Sequence, residues 1–155
     1  MAVELLRQQF GNLGKTEIFL ITFERMRRYE GNWHCREEIL FQGCVFVEEA
    51  SPGRLEKAAQ KAMVFRSFRN GRYSLCLKEA EKEFLEDMSG EAHRIPMSKG
   101  FIRNGITFVT EGPLCGKEYR IRKIDRHKRM ARIASPMACC LAKEFWTGLE
   151  ITAKS

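Results

Sequence analysis

Apolar and polar positions change their spacing along the chain, and those changes mark out its elements. In residues 2–9, Val3 and Leu6 fall on one helical side with Phe10 beyond them, and Gly11-Asn12-Leu13-Gly14 ends that helix. Glu17-Ile18-Phe19-Leu20-Ile21-Thr22-Phe23 is rich in β-branched and aromatic residues and predicts a strand. Residues 24–31 read as a basic, turn-like stretch. Glu37–Phe41 and Cys44–Glu48 predict two strand segments meeting at Gly43, where a bulge or a close backbone approach is expected. Ser51 and Pro52 suit the cap and first turn of a helix running to about Met63, with Leu55, Ala58, Ala59 and Ala62 inward. Val64–Phe68 is apolar, Arg69-Asn70-Gly71 is a turn and Leu75–Leu77 is short and extended. Lys78–Met88 predicts a helix that turns Ala80, Phe84, Leu85 and Met88 inward.

Beyond Ser89-Gly90 the pattern is different. Residues 89–100 contain two glycines, a proline and two serines with few apolar anchors, which predicts a linker, or else an ordered connection within one domain. The rest of the chain predicts short strands only. Gly105–Val109 is a strand and Glu111–Gly116 a turn. Arg120–Ile124 is a strand in which Ile121 and Ile124 flank a polar pair, Asp125–Arg129 connects, and Met130–Ala134 returns. Phe145-Trp146 and Leu149–Ile151 predict closing strands. So short a run cannot bury two sheet faces, and a closed barrel is the economical solution. The expected fold class is therefore α+β: an α/β domain over residues 1–88, a linker over 89–100 and a small β-barrel over 101–155.

Charge sharpens this division. Of 27 Lys and Arg and 20 Asp and Glu in 155 residues, residues 99–155 hold twelve basic and five acidic, so the whole net charge of +7 lies there and the rest is neutral. Residues 117–132 alone carry eight basic and two acidic side chains, a density that favours a polyanion partner. The candidates for phosphate contact are Arg120, Arg122, Lys123, Arg126, His127, Lys128, Arg129 and Arg132, held by Ile121, Ile124 and Ile133. A solvated face that meets only water or protein is the alternative. Arg25, Arg27, Arg28 and Tyr29 form a second, weaker basic point.

Other chemistry is scarce. The six cysteines contain no Cys-x-x-Cys pair and read as reduced thiols. The three histidines form no metal-ligand spacing, so neither a metal nor another cofactor is expected. Glu37-Glu38 and Glu48-Glu49 point to opposite strand faces rather than pairing for acid–base work. With no phosphate loop or nucleophile elbow, an enzyme is not expected. No stretch approaches the roughly 18 apolar residues of a membrane span, and MAVELLRQQF is not a secretory signal; a cytoplasmic protein without a membrane partner is expected.

Three segments carry a family resemblance. The first runs from Glu24-Arg25-Met26-Arg27-Arg28-Tyr29-Glu30-Gly31-Asn32-Trp33-His34 to Glu38–Val47. The second is Gly112-Pro113-Leu114 with Gly116. The third is Ile124-Asp125-Arg126-His127-Lys128-Arg129 with Gly148-Leu149-Glu150-Ile151. In order and spacing these resemble the NusG family of transcription elongation factors, and within it the LoaP-like specialised antiterminator paralogs. The resemblance implies an N-terminal α/β sandwich that docks on the RNA polymerase clamp, followed by an SH3-like KOW barrel. The family's opening strand has no counterpart here, so the N-terminal sheet is expected to lack it. Tyr119 stands where the family has a glycine, and strain at that turn is expected.

The matching segment places polymerase contact on Phe41, Gly43, Val45 and Phe46, with Arg25 and Arg28 beside them. The implied function is transcription elongation or antitermination by a monomer. Its barrel would contact nascent RNA, DNA, a termination factor or a ribosomal protein. A ribosome-associated or RNA-binding KOW protein without polymerase contact, and a truncated paralog of reduced activity, are the alternatives.

Overall fold

The computed structural model describes residues 15–50, 62–68, 71–136 and 142–155. The helix expected over residues 2–9 lies outside them, as does that from Ser51 except for Ala62 and Met63, which are strand. Among the described residues the fold is α+β, mostly sheet with one α-helix.

Strands β1 (Lys15–Phe19) and β2 (Thr22–Tyr29) follow one another with only Leu20 and Ile21 between them. The basic stretch expected to be a turn is therefore strand as far as Tyr29. It pairs antiparallel with β3 (Asn32–Ile39) in unbroken register from Thr22↔Ile39 to Tyr29↔Asn32. The loop is Glu30-Gly31, with φ of 51° and 77°. Two successive left-handed residues match the twist of a two-residue hairpin, which is why a glycine stands there.

β4 (Cys44–Ala50) follows a turn in which Cys44 N–H donates to Phe41 C=O at 3.2 Å and Gly43 supplies φ of 72°. Gly43 thus serves a turn, rather than the expected bulge. β4 lies between β1 and β5 (Ala62–Phe68), and β6 (Gly71–Cys76) completes an antiparallel sheet of order β1-β4-β5-β6. Helix α1 (Glu79–Ser89) comes next. Phe84, Leu85 and Met88 are buried as expected, but Ala80 is exposed and Glu81 takes the inner position. The reason is local: Glu81 Oε2 accepts the Lys78 N–H at 2.9 Å and satisfies one of the helix's free donors.

Residues 89–100, expected as a linker, are built into the sheets. β7 (Arg94–Ile95) pairs parallel with β2, β8 starts at Ser98, and both Ile95 and Ser98 are fully buried. β8 (Ser98–Arg103) and β9 (Ile106–Glu111) form a hairpin over Asn104-Gly105, with φ of 50° and 76°. A 3-10 turn (Glu118–Arg120) leads into β10 (Ile121–Asp125), which pairs with β11 (Met130–Ala134). The last strand, β12 (Glu144–Lys154), is one long strand rather than two. Its first half pairs antiparallel with β11 and its second half parallel with β8.

The resulting order is β10-β11-β12-β8-β9, and β9 and β10 do not pair. The sheet is open, not the closed barrel expected. At its β9 edge the Glu118 carboxylate accepts the Val109 N–H at 3.0 Å, so a side chain from the 3-10 turn satisfies a donor that a neighbouring strand would otherwise take. Tyr119 lies in that turn, is exposed and has no left-handed φ, so the strain expected there does not arise.

One core joins the chain's two parts. Phe145 of β12 meets Phe41 at 5.7 Å and Phe84 at 6.2 Å between ring centroids. Gly148 lies so close to β2 that a Cβ there would stand 2.6 Å from the Glu24 carbonyl oxygen and overlap the Met97 sulfur. A glycine is needed where two backbones approach this closely.

Candidate nucleic-acid interface

The β10–β11 hairpin sorts its cations into two sets. Ile121 and Ile124 are three residues apart, which plain strand alternation would send to opposite faces. The register resolves this: Ile121 pairs with Ile133 but Lys123 pairs with Arg132, so Arg122 is an extra residue, a β-bulge. The bulge turns both isoleucines to the core side and leaves Arg122 and Lys123 exposed side by side. The turn adds Arg126, His127 and Lys128, all exposed. The Asp125 carboxylate accepts the Lys128 N–H at 2.9 Å and shapes that turn. Among the described residues, Arg122, Lys123, Arg126 and Lys128 have no carboxylate partner.

The other three arginines are structural. Arg120 lies with its guanidinium carbon 4.8 Å from the Phe84 ring centroid and donates from Nη1 to Ala134 C=O at 3.3 Å. Arg132 pairs with Glu144 at 2.9 Å. Arg129 pairs with Glu150 at 3.1 Å and lies over the Trp33 ring. Each has an anionic or aromatic partner, so eight candidate positions reduce to His127 and four exposed cations with neither; of these four, Arg122 donates from Nη1 to Tyr119 C=O at 2.9 Å and stays exposed.

The second basic point also divides. Arg25 and Arg27 both bind Glu38, at 3.3 Å from Arg25 Nη1 and 2.7 Å from Arg27 Nε. Partial burial pushes the Glu38 carboxyl up, but these two guanidinium groups outweigh it and hold the carboxyl below its ordinary range. Arg28 is exposed and lies opposite Trp33 in the β2–β3 register. Directly opposed strand residues share a face, so Arg28 stands on the side of the hairpin that meets Arg129. The structure thus puts Arg28 on the hairpin face that Arg129 of the β10–β11 turn meets at Trp33, a relationship that sequence order hides.

The residues expected to receive the polymerase are differently placed. Phe41, Val45 and Phe46 are 6%, 8% and 1% exposed, and Phe46 stacks on Phe19 at 5.6 Å. Phe41 and Phe46 belong to one core with Phe84 and Leu85 of α1 and Phe145 of β12, while Val45, on the other face of β4, is buried outside it. Gly43 and Arg28 are exposed, and Arg25 is half-buried.

Among the described residues no group of three metal-ligating side chains occurs, and no helix is long and apolar enough to cross a membrane. No family model matches the chain, and no curated protein matches it either.

Proposed function

We propose that this chain is a nucleic-acid-binding transcription elongation or antitermination factor of the NusG type. Its contact with RNA or DNA is made by the β10–β11 hairpin. The observation that carries the reading is the set of four exposed, carboxylate-free cations, Arg122, Lys123, Arg126 and Lys128, held on one bulged hairpin. Such a cluster binds phosphates without reading sequence. In this reading residues 98–154 are an SH3-like KOW unit. Its five strands take the order β10-β11-β12-β8-β9, and Glu118 of the 3-10 turn before β10 binds the Val109 N–H at the β9 edge. The N-terminal part is the polymerase-docking unit, reached through Arg28 and the exposed Gly43 turn.

A second reading, an RNA-binding KOW protein without polymerase contact, is favoured by one observation: Phe41 and Phe46 are covered, and Phe145 is among the rings that pack on Phe41. Co-purification with core RNA polymerase separates the two. Association that Arg28→Glu weakens supports the first. No association together with salt-sensitive RNA binding supports the second. Alanine at Phe41 or Phe46 is unsuitable for this test, because it would open a cavity in the core.

A further inference from the structure

We infer that the tip of the β2–β3 hairpin is a stacking platform for unpaired nucleobases, so that the ligand of the basic surface is a single strand. This rests on the nucleic-acid reading above and narrows its ligand.

β7 covers β2 only at Thr22 and Phe23, so from Glu24 onward the hairpin has no third strand among the described residues. One of its faces carries Arg28 and Trp33 against Arg129. The opposite face carries Tyr29 and His34, whose rings stack at 3.7 Å between centroids with 12° between their planes. Arg36 donates to the Tyr29 hydroxyl and holds its guanidinium carbon 5.4 Å from the same ring. Despite both neighbours Tyr29 remains 38% exposed. Among the described residues neither Arg36 nor Arg28 has a carboxylate partner; Glu30 is the acidic residue of the loop between them.

An exposed tyrosine ring backed by the half-buried His34, with the Arg36 guanidinium beside it, suits a base with a free π-face and a phosphate next to it. A duplex keeps its bases stacked on one another and offers such a face only at its two ends, so along its length it can use the cations alone. Arg129 on Trp33 brings the hairpin tip to the basic turn, so a strand whose phosphates follow Arg126 and Lys128 reaches Tyr29, on the other face, by passing round the Glu30-Gly31 loop.

The test measures fluorescence anisotropy with three labelled probes at one salt concentration. They are a mixed-sequence single-stranded RNA of about ten nucleotides, the DNA strand of the same sequence, and the corresponding blunt duplex. The inference expects tighter binding of the single strands than of the duplex. Tyr29→Leu should weaken single-strand binding about fivefold or more and leave the duplex unchanged, while Tyr29→Phe restores it. The RNA and DNA arms then show which sugar is preferred. In the unsubstituted protein the Tyr29 ring protons should shift upfield on saturation with the preferred single strand, a readout that does not depend on any variant folding. Equal affinity for all probes, no effect of Tyr29→Leu, or no ring shift at saturation overturns the platform and leaves the basic hairpin standing. No binding of any probe overturns the basic hairpin itself.

Discussion

The guanidinium carbon of Arg129 lies 4.1 Å from the centroid of the Trp33 ring. It joins the turn of one hairpin to the tip of another that begins about a hundred residues earlier in sequence. The same guanidinium pairs with Glu150, so the β10–β11 turn, the start of β3 and the middle of β12 meet at one side chain. Arg129→Ala is expected to cost about 1 kcal/mol from the cation–aromatic contact and the ion pair together. With Trp33→Leu it should show a coupling of about 0.5 kcal/mol or more in a double-mutant cycle by urea unfolding. Arg129 also has φ of 52°. Arg129→Gly should therefore cost less than Arg129→Ala, because glycine adopts that conformation freely.

Salt separates the two sets of cations. Replacing Arg122, Lys123, Arg126 and Lys128 by serine should lower nucleic-acid affinity and flatten its logarithmic salt dependence, by about 0.7–0.9 for each phosphate no longer neutralised. Arg120→Ser and Arg132→Ser should reduce the unfolding midpoint more than the salt slope. An unchanged slope for the fourfold variant would remove the basic hairpin from the binding surface.

Phe145 ties the open five-stranded sheet to Phe41 and Phe84. Phe145→Ala should destabilise the protein by about 3–5 kcal/mol, the usual cost of emptying a buried aromatic site. Because the rings come from β12, α1 and the turn before β4, the whole fold should respond. The fluorescence of Trp33 and Trp146 and the far-ultraviolet circular dichroism should move to lower urea together.

Acid should loosen the β2–β3 hairpin. The Glu38 carboxyl is held below its ordinary range by Arg27 and Arg25, against the upward push of partial burial. Its contribution is therefore present above the ordinary carboxylate pKa and lost as pH falls through the depressed folded value. Partial exposure limits the effect to about 1 kcal/mol. Thermal midpoints across the acid range should fall less steeply for Glu38→Gln than for the unsubstituted protein.

Much of this was readable from the residues, and the failures have physical causes. Helix α1 and the β10–β11 hairpin stand where apolar spacing puts them. Ser98–Arg103 escaped because its small and charged residues look like linker, although Asn104-Gly105 is a strong two-residue hairpin signal with Phe101-Ile102 before it and Ile106-Thr107-Phe108 after it. The strand over Arg25–Tyr29 escaped because its residues find partners only across the hairpin, Arg25 and Arg27 on Glu38 and Tyr29 on the ring of His34. The basic cluster was legible as a density of charge. Its division into open and engaged cations was not, since Glu144, Glu150, Trp33 and Phe84 are distant in sequence.

The change of partner along β12 bears on the order in which the molecule assembles. Ser98–Ile102 pairs with Leu149–Lys154, across some fifty residues, while Glu144–Gly148 pairs with the adjacent β11. Local hairpins can form within microseconds, but the parallel pairing must first close that long loop. The β8–β9 and β10–β11 hairpins should therefore form early and wait, and refolding should be limited by the docking of β12, on the slow side for a domain of this size.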